Sequence, residues 1–379
     1  MSQNLTPWPS VAAREEAPYG SRRQFLIAGL AAAAGPTWAS RSASAAAASL
    51  QVGFVYVSPI GNAGWSYQHE LGRRQLVKEL GAKVQTHAVD SVAEGADSER
   101  VMRDLAQRGC RLIFATSFGY LEPALRVAAD FPQTVFEHAG GYKTAANLNT
   151  YNARFYEGRY LAGMLAGKAS KSGVAGYVAG FPLPEVIQGI NAFAIGMREV
   201  NPQAQVKVLW LNNWFDPARE REAALTLVNQ GADVLTNHSA SPAVPLVAEE
   251  KGVRLIAYTS DMAQYAPRAQ LAAVTHHWGD YYSAVARRVL AGTWKPEPVW
   301  GGMHDGMVRL SALHPQLPKD WRRLVERRQH ELVTGRRHPF QARLLDKDGQ
   351  LRHPGGPMTD ADIARMDWFV QGVSASLKS

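Results

Sequence analysis

Between Leu50 and Tyr258, short apolar runs alternate with amphipathic helical stretches, and the alternation runs through twice. In the first pass Val52 to Val57, Lys83 to Val89, Leu112 to Thr116 and Thr134 to His138 read as strands. The helices between them run from Trp65 to Leu80, from Ala96 to Arg108 and from Glu122 to Phe131, stopped by Gly81, Gly109 and Pro132. A long helix from about Ala153 to Ala169 interrupts the rhythm. The second pass supplies strands at Val174 to Ala179, Gln205 to Trp210, Val234 to Thr236 and Arg254 to Tyr258. Its helices are Glu185 to Val200, Ala218 to Gln230 and Ala243 to Lys251. A parallel strand pair needs a crossover long enough to hold a helix, so this pattern predicts parallel sheets covered on both faces. Two passes of about 100 residues each predict an α/β chain of two similar lobes.

The rest of the chain elaborates on this frame. A helix from about Tyr281 to Ala291 is expected to return to the first lobe, with Met307 to Leu310 as a strand there. The tail reads as a basic helix ending at Gly335, a hairpin of Phe340 to Leu345 with Gln350 to His353, and a last helix. Thr359 caps that helix, which is expected to carry Met366, Trp368 and Phe369. The expected division is a leader at 1–47, a first lobe of 48–153 plus about 279–312, and a second lobe of 154–278. Residues 313–379 form a C-terminal extension packed on a lobe.

Ser21-Arg22-Arg23-Gln24-Phe25-Leu26-Ile27 matches the twin-arginine consensus. The apolar run that follows, Leu26 to about Ala34, is too short to span a bilayer and leads into small residues ending near Ala48. Export by the twin-arginine route to the periplasm is therefore expected. The cleavage region has no cysteine, so the chain is not read as a lipoprotein. No later segment reaches about 18 uninterrupted apolar residues, and no stable membrane insertion is expected. The single cysteine, Cys110, permits no intramolecular disulfide, so the fold must rest on its core. The formal charge of +8 is scattered along the sequence. Its densest run, Arg322 to Arg328, has the spacing of a solvated helix face and lacks the interleaved aromatics of a nucleic-acid surface. A monomer that binds no nucleic acid is expected.

Signatures of catalysis are missing. The sequence has no Gly-x-Ser-x-Gly elbow, no phosphate loop ending in Gly-Lys-Ser/Thr, and no Gly-x-Gly-x-x-Gly after the first strand. His69-Glu70 begins like a zinc helix, but Arg73 stands where the second histidine is needed. His276 and His277 are adjacent and point in different directions in regular structure. No catalytic residue, metal or cofactor is expected. Triads do assemble from distant residues, which keeps an exported enzyme as an alternative.

Aromatic residues instead collect on the loops that follow strands. Asn62-Ala-Gly-Trp65-Ser-Tyr67 follows the first strand and Ser117-Phe118-Gly-Tyr120 the third. Phe181-Pro-Leu-Pro-Glu185 and Asn212-Asn213-Trp214-Phe215-Asp216 follow the first two strands of the second pass. Open α/β sheets bind ligands beyond the carboxyl ends of their strands. Aromatics facing each other there make a slot for a flat ring, with stacking worth roughly 1–3 kcal/mol per aromatic. An Asn amide such as that of Asn62 can pair with an adenine-like donor and acceptor. A carboxylate such as Asp261 can accept an exocyclic amine or a ribose hydroxyl. Glu185, Arg154, Glu157 and Asp216 keep a sugar or autoinducer open; a flavin-like solute would need a longer slot.

Several stretches carry a family resemblance across essentially the whole mature chain. They include Arg154-Phe-Tyr-Glu157-Gly158, Gly189-Ile-Asn-Ala-Phe193 with Asn201-Pro202, Trp214-Phe-Asp216-Pro-Ala-Arg-Glu220, Asp305-Gly306 and Met366-Asp-Trp-Phe-Val-Gln-Gly372. In order and spacing the chain resembles the basic membrane protein family of solute-binding proteins, which includes purine nucleoside receptors of ABC importers. The resemblance implies a type I periplasmic-binding fold, two Rossmann-like lobes with parallel sheets joined by a three-crossover hinge. It also implies a non-enzymatic protein that captures a small molecule and delivers it to an ABC permease. The family's base-sandwiching aromatics fall at Trp65 and Trp214, and its ligand-facing acid at Asp261. Asn62 replaces an acidic residue, and a usual lysine is missing with Trp278 nearby. Fewer charges and more indoles imply a flatter ligand, a free purine base with adenine first and a nucleoside second. The ligand-binding set expected is Asn62, Trp65, Tyr67, Phe118, Glu185, Trp214, Asp261 and Trp278.

Overall fold

A computed structural model describes residues 49–375, so the expected leader lies outside the described residues. The first half runs β1 (Leu50–Val55), α1 (Trp65–Leu80), β2 (Val84–Val89), α2 (Ala96–Gln107), β3 (Leu112–Ala115), α3 (Leu121–Asp130), β4 (Val135–Ala139) and β5 (Leu148–Ala153). The second half runs α4 (Phe155–Ala169), β6 (Val174–Ala179), α5 (Pro184–Val200), β7 (Gln205–Trp210), α6 (Pro217–Asn229), β8 (Val234–His238), α7 (Ala243–Lys251), β9 (Arg254–Thr259) and β10 (Gln270–His276). After these come α8 (Gly279–Leu290), β11 (Val299–Gly301), β12 (Val308–Leu310) and α9 (Lys319–Val333). The chain closes with β13 (Leu344–Leu345), β14 (Leu351–His353), α10 (Asp360–Ala364) and β15 (Val373–Ser374).

Among the described residues, the strands form two large α/β sheets and a small antiparallel pair, β13 with β14. The first has the order β11-β5-β4-β3-β1-β2, and all its pairs are parallel. The second has the order β12-β10-β9-β8-β6-β7-β15, parallel except where β12 runs against β10. The chain passes from one sheet to the other three times, between β5 and β6, between β10 and β11, and between β11 and β12.

Close packing of α4 against α5 anchors the second sheet. A side chain at Gly163 would overlap the carbonyl of Phe193, and one at Gly196 that of Tyr160, so the two backbones meet directly. In the first lobe, Phe54 stacks on Phe114 with ring centroids 4.8 Å apart, and Tyr282 of α8 closes over Phe114 at 4.2 Å. Each fully buried ring of this size contributes roughly 1.5–3 kcal/mol through burial.

Some expected elements fall elsewhere. The strand expected in the first lobe at Met307 to Leu310 pairs with the second sheet, Val308 opposite His276 and Leu310 opposite Val274. There it covers the edge of β10, which would otherwise present unpaired backbone groups. The last helix does begin at Thr359, whose side chain accepts from Asp362 N, but it stops at Ala364. Met366, Phe369 and Val370 are buried as non-helical chain. Asn191 of α5 holds that segment, donating to Trp368 O at 2.8 Å and accepting from Val370 N at 2.9 Å. β5 was not expected as a strand because its sequence, Leu-Asn-Thr-Tyr-Asn-Ala, shows no apolar run. Its polar side chains are paired instead: Asn149 donates to Glu137 at 3.2 Å and to Tyr281 at 3.3 Å.

Candidate functional site

Loops from the carboxyl ends of both sheets meet at one cavity with about 450 Å³ of empty space, partly open to solvent. Val57, Trp65, Ser117 and Phe118 line it from the first sheet's side. Glu185, Trp214 and the run His238-Ser239-Ala240 line it from the second, with Thr259.

The indoles are fixed by their surroundings. Trp65 opens α1, and its Nε1 donates to Thr116 O at 2.6 Å, at the end of β3. Behind it, His69 and Trp278 present their rings edge-on at 4.5 and 5.9 Å. Trp214 follows β7, where Asn212 takes a positive φ of 52° and turns the chain. The Trp214 carbonyl accepts from Ala240 N at 2.9 Å, and its ring meets Phe181 edge-on at 4.8 Å. Only a glycine fits beneath it, since a Cβ on Gly180 would stand 2.6 Å from the indole.

Phe118 sits on a loop tied down by Glu94, which accepts from Ser117 Oγ at 2.7 Å and Gly119 N at 2.9 Å. Glu185, in the first turn of α5, accepts from Asn152 Nδ2 of β5 at 3.0 Å, a bond between the two halves of the wall. Burial raises its pKa above the usual carboxylate range, with the Asn152 bond opposing. His238 ends β8, and burial followed by the charge of Arg159 holds its imidazole well below the ordinary histidine range. It is therefore neutral. Arg159 is itself fully buried, its guanidinium 3.3 Å from the Tyr258 ring centre, donating to Thr236 Oγ1 at 3.0 Å and Asn237 O at 2.6 Å.

Most hydroxyls in the wall are already engaged by the protein. Ser117 donates to Glu94, Ser239 to Glu220 and Thr259 to the Tyr258 carbonyl. Among the described residues, Glu185 Oε1, the His238 ring and the Trp214 indole N–H are lining groups with no hydrogen bond to the protein, while the three hydroxyls keep only acceptor lone pairs. The site is an aromatic slot with few polar readers.

The structure brings together Trp65, Phe118, Glu185 and Trp214 of the residues expected from sequence. The other four lie off the lining. Asn62 is exposed, and its carbonyl accepts from Gln264 Nε2 at 3.2 Å. Asp261 is exposed and bound to its own loop, accepting from Gln270 Nε2 at 2.7 Å and Ala263 N at 2.9 Å. Tyr67 is two residues beyond Trp65 on the same helix, about 200° around its axis, and so faces elsewhere. Trp278 is 1 % exposed and lies behind Trp65, parallel to His69 at 5.0 Å. It shapes the wall without reaching the cavity. The lining residues not singled out from sequence are Val57, Ser117, His238, Ser239, Ala240 and Thr259. His238 was findable by the same carboxyl-end rule, but β8 runs two residues beyond the expected Thr236 and its loop carries no aromatic.

Among the described residues, no group of three or more His, Cys, Asp or Glu could hold a metal ion, and no helix is long and apolar enough to cross a membrane. Residues 49–333 match the family model for Bmp, the PnrA-like ABC transporter substrate-binding proteins. A purine-binding protein of Brucella abortus is 45% identical over 86% of this chain and 94% of its own length. A protein of Haloferax volcanii named as an ABC transporter glucose-binding protein is 39% identical over 86% of this chain and 81% of its own. Among solved structures, an ABC transporter solute-binding protein from Conexibacter woesei superposes with a TM-score of 0.63 at 20% identity. The superposition covers 76% of this chain and 98% of that one. A solute-binding protein from Aeropyrum pernix gives 0.63 at 20% identity over 76% and 92%. These neighbours show the fold, a two-lobed α/β architecture of the type I periplasmic-binding class.

Proposed function

The chain belongs to the Bmp family of PnrA-like ABC transporter substrate-binding proteins, and from that premise we propose that it captures a purine base between its two lobes and delivers it to an ABC permease. Adenine is the first choice of ligand and a nucleoside the second. The observation that carries this reading is the meeting of Trp65 and Trp214, one from each sheet's rim, on a single cavity. Indoles on two sides grip a flat ring through its faces, which a non-planar solute cannot exploit equally.

The name of the Brucella abortus relative supports a purine; that of the Haloferax volcanii relative raises glucose. A hexose presents hydroxyls around its whole edge and needs a matching ring of polar partners. Here the hydroxyl protons of Ser117, Ser239 and Thr259 are already given to the protein, and the donors left for a sugar's edge are few, the His238 ring and the Trp214 indole. That balance favours the base. The Glu185 carboxyl gives an exocyclic amine an acceptor, which favours adenine among the bases.

Calorimetry on protein unfolded, stripped of small molecules and refolded tests the proposal with adenine, hypoxanthine, adenosine and glucose. Heat of binding with a purine and none with glucose is expected; the reverse overturns the reading. The bound purine should be recovered unaltered after incubation, as befits a carrier. Export by the twin-arginine route belongs to the same proposal and rests on Arg22-Arg23. Replacing that pair by lysines should leave the precursor in the cytoplasm, and unimpaired export would remove this part.

A further inference from the structure

We propose that His238 reads the ligand directly, donating from Nε2 to an unprotonated ring nitrogen or oxo group while Glu185 receives a neighbouring N–H. The inference rests on the purine reading and adds a specificity residue to it. Three observations lead to it. His238 lines the cavity, and its Nδ1 is buried without a partner, which leaves Nε2 as the ring nitrogen able to reach a ligand. A neutral imidazole carries one proton, and its position is set by the surroundings. Arg159 is the cation that bears on this ring. A proton on the buried Nδ1 would have no acceptor, so the proton belongs on Nε2, where a ligand can take it.

Glu185 complements this donor. One carboxylate oxygen, Oε2, already accepts from Asn152, and Oε1 has no hydrogen bond among the described residues. The two side chains come from different elements of the second lobe, β8 and α5, and line the same cavity. A ring that shows an acceptor next to an N–H satisfies both at once; adenine does so with its amine flanked by N1 and N7. A ligand lacking the acceptor leaves the His238 donor unsatisfied against a largely apolar wall. Leaving a partner unpaired in this way costs more than the bond itself contributes.

The test measures affinities of adenine and its 1-deaza, 3-deaza and 7-deaza analogues for wild type, His238→Leu and His238→Gln. Each analogue replaces one ring nitrogen by C–H and leaves the stacking faces in place. Wild type is expected to lose ten-fold or more with one analogue. His238→Leu should bind adenine and that analogue about equally, while His238→Gln, whose amide can still donate, restores part of the preference. If wild type binds adenine and His238→Leu keeps the full preference, the assignment of His238 is overturned while the purine reading stands. Binding of all three analogues by wild type as tightly as adenine also overturns it. If no purine binds wild type, the functional reading fails first and this inference with it.

Discussion

Ser260 Oγ, on the loop after β9 of the second sheet, accepts a 2.9 Å hydrogen bond from the backbone nitrogen of Gly64, the residue that leads into α1 beside the first sheet. The same oxygen accepts from Gln68 Nε2 at 2.9 Å and donates to Gly64 O at 3.2 Å. These bonds join the two lobes beside Trp65. Gly64 has a φ of +96°, and a side chain there would overlap the carbonyl oxygen of Ala240, a lining residue of the second lobe. The lobes thus touch at a contact that only glycine permits, and we read this arrangement as the closed one.

Closure should weaken when this contact is altered. Ser260→Ala leaves Gly64 N and Gln68 Nε2 without their partner, at a cost of about 1–3 kcal/mol to the closed form. Affinity for the purine is expected to fall roughly 5- to 150-fold. Gly64→Ala should be worse, because the methyl meets backbone rather than a movable side chain. Small-angle scattering with saturating ligand should show wild type compact and Gly64→Ala more extended. Equal compaction and unchanged affinity in both variants would argue against the contact as a latch.

The indoles give a second expectation. Trp65→Ala and Trp214→Ala should each weaken purine binding by about 10-fold or more, given stacking of roughly 1–3 kcal/mol per aromatic. Phenylalanine at either position should recover part of the loss. Titration calorimetry reads both, and normal affinity in the two alanine variants would remove the stacking model.

A pH effect is expected from Glu157. This residue of α4 accepts from Met303 N at 2.6 Å, on the chain that passes between β11 and β12. Burial raises its carboxyl from 4.5 to about 7, the Met303 bond and Arg154 opposing. Below about 4.5 the folded and unfolded chains both hold the proton. As pH rises to 7 the unfolded chain releases it while the folded chain keeps it, so stability falls across this window and levels off above it. The full penalty is on the order of 3 kcal/mol. Glu157→Gln should therefore raise Tm little at pH 4.5 and most at pH 7.5 and above. A gain independent of pH would contradict the assignment.

Asn191 supplies a stability test of the C-terminal extension. Its side chain is fully buried and satisfies both Trp368 O and Val370 N. Asn191→Ala strands those two backbone groups, and a loss of about 2–4 kcal/mol is expected in denaturant unfolding. Purine affinity at 25 °C should be little changed, because the extension lies away from the cavity lining. A variant as stable as wild type would show the extension to be loosely held.

The sequence was most legible where one physical pattern dominates. Apolar strands and helix stops set most elements of both passes, and the carboxyl-end rule found Trp65, Phe118, Glu185 and Trp214. It was least legible where packing overrides local pattern. β5 is a polar strand made viable by Glu137 and Tyr281, partners distant in sequence. Met366 and Phe369 look helical but lie in a non-helical segment that Asn191 holds. Asn62 and Asp261 carry suitable chemistry, yet Asn62 is exposed off the lining, and hydrogen bonds from Gln270 and Ala263 hold the Asp261 carboxylate away from it. His238 lacked any neighbouring aromatic to mark it.

The most direct test is a crystal structure of the stripped and refolded protein grown with adenine. The account predicts flat density in the cavity, its faces against Trp65 and Trp214 and its edge toward Glu185 and His238. Density for the base at any other place, or an empty cavity in which the two indoles pack on each other, would contradict it.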